Sequence, residues 1–185
     1  MTNVPANVLT IPVGKRDHVA GALDAPTILV EYGDFECPYC GAAYPVVEAV
    51  RRQLGDALCF VFRHFPLTDS HPHAESAAEA AEAAAAQGKF WEMHHLLYEH
   101  QRTLDPSDLA RFAEELQLDV ARFSRELSAG TYASRVQEDF QSGIRSGVNG
   151  TPTFFVNGVR FDGPWNDVAA FTDALSRPAS VRPTG

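Results

Sequence analysis

Hydrophobic and polar positions follow two rhythms along this chain. Thr27–Tyr32 (TILVEY) is β-branched, aliphatic or aromatic except for one acid, Glu31, the pattern of a central strand covered on both faces. A helix is expected to open at Cys37, with Pro38 suited to its first turn. GAAYPVVEAVRRQLG carries it to Gly55, with a bend predicted at Pro45. Ala57–Phe65 (ALCFVFRHF) reads as a second buried strand, ended by Pro66.

From Asp69 to Gly147 the rhythm is helical throughout. Ala74–Gly88 (AESAAEAAEAAAAQG) has the best helix former at most positions and a glycine stop. Asp105 and Pro106 predict an N-cap and first turn, followed by Leu109, Phe112, Ala113 and Leu116 on one face. Tyr132, Val136, Phe140 and Ile144 predict the apolar stripe of a further helix. The aromatic segment Lys89–His100 is expected to pack these helices onto the core. Strand character returns in TPTFFVNGVRF, where Asn157-Gly158 between two apolar runs signals a two-residue hairpin. NDVAAFTDAL closes as a helix, and a loose tail is expected after it.

The predicted order is strand–helix–strand, a long helical insert, then hairpin and helix, with neither an internal repeat nor a separating linker. We therefore expect one domain over residues 1–185, with a core at about 9–66 and 148–176, a helical insertion at about 67–147 and a flexible tail at 177–185.

A formal net charge of −9 without a Lys/Arg block argues against nucleic acid or anionic membrane as partner. The N-terminal stretch has no charged start followed by an apolar segment, and no run approaches the length of a membrane span. The expectation is a soluble cytoplasmic protein. A periplasmic or extracellular one would read the same if a signal peptide had been trimmed.

Three cysteines are too few and too odd in number for a disulfide-stapled miniprotein. Cys37 and Cys40 form one CxxC. A structural zinc site would need a second pair. His71 and His73 complete one only on paper, and two histidines near a helix start need no metal. A structural disulfide closing so small a loop would stabilise little. A redox pair explains more of the positions. At a helix N-terminus, unpaired backbone N–H groups and the dipole favour a thiolate on Cys37, making it a nucleophile and a good leaving group. Cys40 lies deeper on the same face, as a resolving thiol would. Pro38 withholds one N–H from the sulfurs. Glu31, buried on the strand six residues before Cys37, is expected to have a raised pKa and to take the Cys40 proton; the alternative is a carboxylate satisfied by backbone or water. Cys59 reads as a core residue, with a regulatory thiol as the alternative. A histidine of Lys89–His100, or His71, is placed to stabilise the thiolate; the sequence does not choose between them.

EYGDFECPYC (Glu31–Cys40) together with GVNGTPTFFVNG (Gly147–Gly158) resembles the DsbA-like thiol–disulfide oxidoreductases of the thioredoxin superfamily, from about Leu9 to Leu175. The resemblance implies an α/β, thioredoxin-like fold: a central mixed sheet flanked by helices, with an all-helical insertion. It implies Cys37, Cys40 and Glu31 as catalytic residues and Pro38, Tyr39, Thr151 and Pro152 at the substrate. It further implies a cis Thr151–Pro152 bond, with the Thr151 backbone pairing an extended substrate segment. Cys-Pro-Tyr-Cys is also typical of glutaredoxins, so glutathione is a candidate co-substrate, and Thr before the proline resembles the isomerase branch. No metal or other cofactor is expected. The partners implied are protein or peptide thiols and disulfides, with a reductase or glutathione as electron partner, and the protein is expected to be a monomer. Two other functions fit the same fold: a glutathione-dependent reductase or transferase of small molecules, and a redox-sensing chaperone.

Overall fold

A computed structural model describes residues 7–177 of the chain. Strand β2 (Thr27–Gly33) lies at the centre of a five-stranded sheet. It runs parallel to β3 (Leu58–His64), which is joined to it through helix α1 (Pro38–Leu54). Beyond β3 lies the short antiparallel β1 (His18–Ala20). On the other side β2 pairs antiparallel with β4 (Thr153–Val156), and β4 with β5 (Val159–Phe161). The order β1-β3-β2-β4-β5 is the mixed sheet that the resemblance implies.

Strand side chains alternate between faces, and the sheet is buried on both. Leu29, Phe60, Phe62 and Phe154 share one core with α1, α3 (Phe90–Glu99) and α7 (Val168–Ser176). Val30, Tyr32, Cys59, Val61 and Phe155 form the other core with Val148 and the flanking Leu9, Val13 and Phe140. Five helices stand between β3 and β4: α2 (Ala74–Ala85), α3, α4 (Pro106–Glu115), α5 (Val120–Ser128) and α6 (Ala133–Arg145). Nine of the twelve residues of α2 are buried, most of them alanine, so its neighbours can approach closely. Asp105 caps α4 by accepting from the N–H groups of Ser107 and Asp108. Asn157 and Gly158 form the β4–β5 turn with φ of 49° and 82°, the left-handed pair such a hairpin requires.

Two elements depart from the sequence reading. Residues 7–9 pair with the β5 hairpin through Leu9 N–H to the Gly158 carbonyl and Arg160 N–H to the Asn7 carbonyl, and neither this contact nor β1 was expected. The inner face of α6 is also different from its predicted stripe. Val136 is buried, but Ile144 is 49% exposed, and Asp139, Ser142 and Gly143 face inward. The reason is a polar seam. Tyr32 and Ser142 share a 2.7 Å hydroxyl contact, Asp139 accepts the His64 N–H at 3.2 Å, and Arg135 pairs with Asp139. The expected tail, apart from Arg177, lies outside the described residues.

Candidate active site

The site begins where β2 ends. A Cβ on Gly33 would come within 2.4 Å of the Phe62 ring and 2.9 Å of the Tyr98 hydroxyl, so the strand can finish there only as glycine. Asp34 then turns the chain: its Oδ1 accepts the Glu36 N–H at 2.8 Å, and its carbonyl accepts the Cys37 N–H at 3.2 Å. Cys37 is the N-cap of α1, in extended backbone, and Pro38 occupies the first turn. The nucleophile candidate therefore sits at the positive end of a seventeen-residue helix.

Cys37 Sγ donates to the Thr151 carbonyl at 3.4 Å, and the Thr151–Pro152 bond is cis. Both sulfurs are free thiols in this structure. The Cys37 thiol is lowered from 9.0 to about 5. The hydrogen bond from the Cys40 side chain is the largest cause. Burial opposes it, while Thr151 and the backbone N–H groups of Cys40 and Tyr39 assist. The Thr151 hydroxyl is buried and has no hydrogen-bond partner among the described residues. Cys40 is the reverse case: fully buried, it is pushed well up by desolvation, then by Cys37 and Glu31, and the Asp34 N–H approaches its sulfur at 3.5 Å.

Glu31 lies on β2 opposite Phe62 and Phe154, on the α1 side of the sheet. Burial raises its carboxyl from 4.5 to about 8, with the Cys37 thiolate and the Glu48 carboxylate adding to the effect. Its Oε1 has no hydrogen-bond partner among the described residues. Tyr39 is 68% exposed at the rim, and a shallow cavity beside Pro152 is lined by Phe154, Arg160, Phe161 and Trp165. The structure thus brings Glu31, Cys37, Cys40, Thr151 and Pro152 together, with Pro38 and Tyr39 on the outer turn.

The histidines separate. His94 is buried among Phe35, Phe62 and Tyr98, and desolvation pulls it well below its usual pKa, so it stays neutral. His95 meets the Tyr44 hydroxyl at 2.9 Å. His71 reaches the loop before α1, its Nδ1 2.7 Å from Asp34 Oδ2. Sequence reasoning missed Asp34 itself and also Gln101, whose Nε2 donates to the carbonyls of Phe35 at 2.9 Å and Cys37 at 2.7 Å. Gly41 leaves room for that clamp. No local pattern marks a glutamine just past a helix end.

Among the described residues, His18, His64 and Glu82 hold donor atoms at metal-ligating spacing. Both imidazole Nε2 atoms already meet Glu82 Oε1, at 2.8 and 2.9 Å, and the Arg135 guanidinium lies 3.8 Å from the same oxygen. A guanidinium so close disfavours a divalent cation, and the group is explained as a buried ion-paired network. Cys59, buried on β3, has its thiol raised by desolvation and belongs to the other core from Cys37 and Cys40.

The sequence matches the Thioredoxin family over residues 14–176. It is 53% identical over 177 residues to a Salinispora tropica chain named Na(+)/H(+) antiporter NhaA 3, covering 94% of this chain and 27% of that one. It is 48% identical over 162 residues to Na(+)/H(+) antiporter NhaA 1 of Mycolicibacterium vanbaalenii, covering 86% and 26%. The chain thus spans about a quarter of the length of these curated relatives. Among solved structures, oxidised BdbD from Bacillus subtilis superposes with a TM-score of 0.79 at 24% identity, covering 91% of this chain and 96% of that one. A thioredoxin-like oxidoreductase from Silicibacter pomeroyi gives 0.76 at 26%, covering 88% and 91%. Wolbachia pipientis alpha-DsbA1 gives 0.78 at 20%, covering 92% and 94%. The chain belongs to the thioredoxin family and has the fold of its DsbA-like thiol–disulfide oxidoreductases.

Proposed function

We propose that this protein exchanges disulfides with protein or peptide substrates, with Cys37 attacking and Cys40 resolving. The observation that carries the reading is the split between two neighbouring thiols, one held at about 5 at a helix N-cap and the other buried and pushed well up. In the reducing direction the Cys37 thiolate attacks one sulfur of a substrate disulfide. The S–S electron pair leaves on the second substrate sulfur, which takes a proton from water. Cys40 then gives its proton to Glu31 and attacks the Cys37 sulfur, expelling the first substrate sulfur as a thiolate. The substrate has gained two electrons and the protein holds a Cys37–Cys40 disulfide. The same steps reversed oxidise a dithiol.

Glu31 has a reason to act at the second step. The Cys37 thiolate helps keep Glu31 protonated. In the mixed disulfide that charge is gone, the carboxyl ionises more readily, and a base becomes present when Cys40 needs one. Pro38, Tyr39, Thr151 and Pro152 line the approach, where the Thr151 backbone would pair an extended peptide. Glutathione or a protein dithiol would return the pair to its starting state. A glutathione-dependent transferase would not need Cys40, nor a carboxylic acid beneath it, so that reading is the weaker one.

Several relatives are named as antiporters over chains about four times longer. We read the exchange domain as a module that such a protein can carry. No helix among the described residues is long and apolar enough to cross a membrane.

Trapping tests the assignment. A Cys40→Ser protein should accumulate a mixed disulfide with a disulfide-bonded peptide, on Cys37 alone. Equal adducts in Cys37→Ser would sink it. The potential of the pair, by thiol trapping in graded glutathione buffers, sets direction and compartment. A value near about −270 mV fits a cytoplasmic reductase, and one near about −120 mV an oxidant of an export compartment.

A further inference from the structure

Two acids and two histidines pair across the loop that presents Cys37. The loop reads Asp34-Phe35-Glu36 and the segment before α2 reads His71-Pro72-His73. Asp34 Oδ2 meets His71 Nδ1 at 2.7 Å, and Glu36 Oε1 meets His73 Nδ1 at 3.0 Å. Equal spacing on both sides sets each imidazole against one carboxylate.

The two pairs differ in depth. The His73 side chain is 41% exposed, and an exposed pair contributes little. The Asp34 carboxylate is fully buried, and the His71 side chain is mostly so. Asp34 also touches both cysteines, one through its backbone N–H and the other at its sulfur. Its carbonyl accepts the Cys37 N–H and its N–H approaches Cys40 Sγ. Its carboxylate accepts from the Glu36 and Leu67 N–H groups and from His71. Among the described residues His71 is the one side chain able to bring it a positive charge. An unpaired buried carboxylate at this point would oppose a thiolate on Cys37.

We propose that His71 is a positioning and charge-setting residue for disulfide exchange: bonded to Asp34, its imidazolium balances the loop's buried negative charge so that Cys37 carries the thiolate. This rests on the exchange reading of Cys37 and Cys40. The groups of other segments that face His71 are Asp34, Glu36 and Cys37, all on the loop before α1. Burial pulls the imidazole down, but the Asp34 hydrogen bond and charge, then Cys37 and Glu36, more than reverse this. The attraction is reciprocal: a thiolate that favours the charge on His71 is favoured by it equally.

The test uses the wild-type protein and one variant. His71 is titrated by NMR in the dithiol and disulfide forms, and its pKa is expected to fall in the disulfide form, where the thiolate is gone. His71→Gln keeps a donor for Asp34 and removes the charge. The pH midpoint for Cys37 alkylation should then rise by about 0.5–1 unit, and the equilibrium with glutathione should shift about three- to tenfold toward the disulfide. A His71 titration unchanged between the two redox forms to within about 0.2 unit overturns the proposal. An unchanged Cys37 midpoint in His71→Gln overturns it as well. Failure of the exchange reading looks different, because the wild-type protein would then exchange with no disulfide peptide although His71 still senses the thiolate.

Discussion

A sulfur at a helix N-cap and a sulfur one turn inside it share a helix but not an environment. The thiolate form of Cys37 is favoured by Cys40, Thr151 and two backbone N–H groups, whereas Cys40 is stripped of water and faces the charges of Cys37 and Glu31. Alkylation of the reduced protein by iodoacetamide should therefore be half-maximal near pH 5 at Cys37, with Cys40 unreactive in the same range. A midpoint near the free-thiol value of about 8.5 would contradict this. Glu31 gives a second test with two readouts. Its folded pKa of about 8 lies above its ordinary 4.5, so the native state holds a proton that the unfolded chain releases between those values. Stability should consequently fall as pH rises from about 4.5 to about 8, and Glu31→Gln should abolish that slope and stabilise the protein by up to about 3 kcal/mol at pH 7. The same variant should lengthen the life of the mixed disulfide about tenfold or more, because Cys40 loses its base. A variant that keeps the slope, or resolves at the wild-type rate, would remove Glu31 from the mechanism. These residues were legible because each carries a local signature: a two-residue cysteine spacing, an acid in an apolar strand, Thr-Pro heading a strand. Asp34 and Gln101 carry none, and His71 stood among several histidines between which the sequence did not choose. Their partners lie tens of positions away, and short polar residues in loops read as turns and solvated caps.

At the scale of elements, what could be read depended on whether the signal was local. Asn157-Gly158 fixes its own turn, and Asp105-Pro106 fixes its own helix start. Strand β1 has three residues and exists because β3 offers an edge, so nothing within His18–Ala20 announces it. Helix α6 shows why an apolar stripe can mislead. Its inner face meets a buried polar seam and two aromatic rings, and Ile144 is left outside. Gly143 is the test of that packing. A Cβ there would come within 2.7 Å of Phe65 Cδ2 and 3.1 Å of Tyr32 Cδ1. Alanine at an interior helix position normally gains up to about 1 kcal/mol over glycine. Here overpacking should outweigh that gain, and Gly143→Ala should destabilise by about 1–3 kcal/mol in urea unfolding. A stabilised variant would mean that α6 can move off the sheet at little cost.

Across the whole molecule, redox state and stability are coupled through one group. A thiol lowered from 9.0 to about 5 contributes stability that is fully present above its unfolded pKa and is lost as pH falls through about 5. At pH 7 the thiolate therefore stabilises the reduced fold by about 2–3 kcal/mol. Glu31 trims this, because it must stay protonated beside the charge. The disulfide form has no thiolate, and its cross-link, closing only about four residues, offsets the loss in part, by about 2 kcal/mol. The reduced protein should thus melt above the oxidised one at pH 7, and the gap should close as the pH approaches 5. Calorimetry of both forms at the two pH values checks the sign and the trend together. The same free energy raises the potential of the pair by about 40–60 mV over one with unperturbed thiols. An oxidised form more stable than the reduced form at pH 7 would mean that the N-cap, Thr151 and Cys40 do not hold the thiolate. Cys37 would then have lost the feature that separates it from Cys40, and the assignment of attacker and resolver would fall with it.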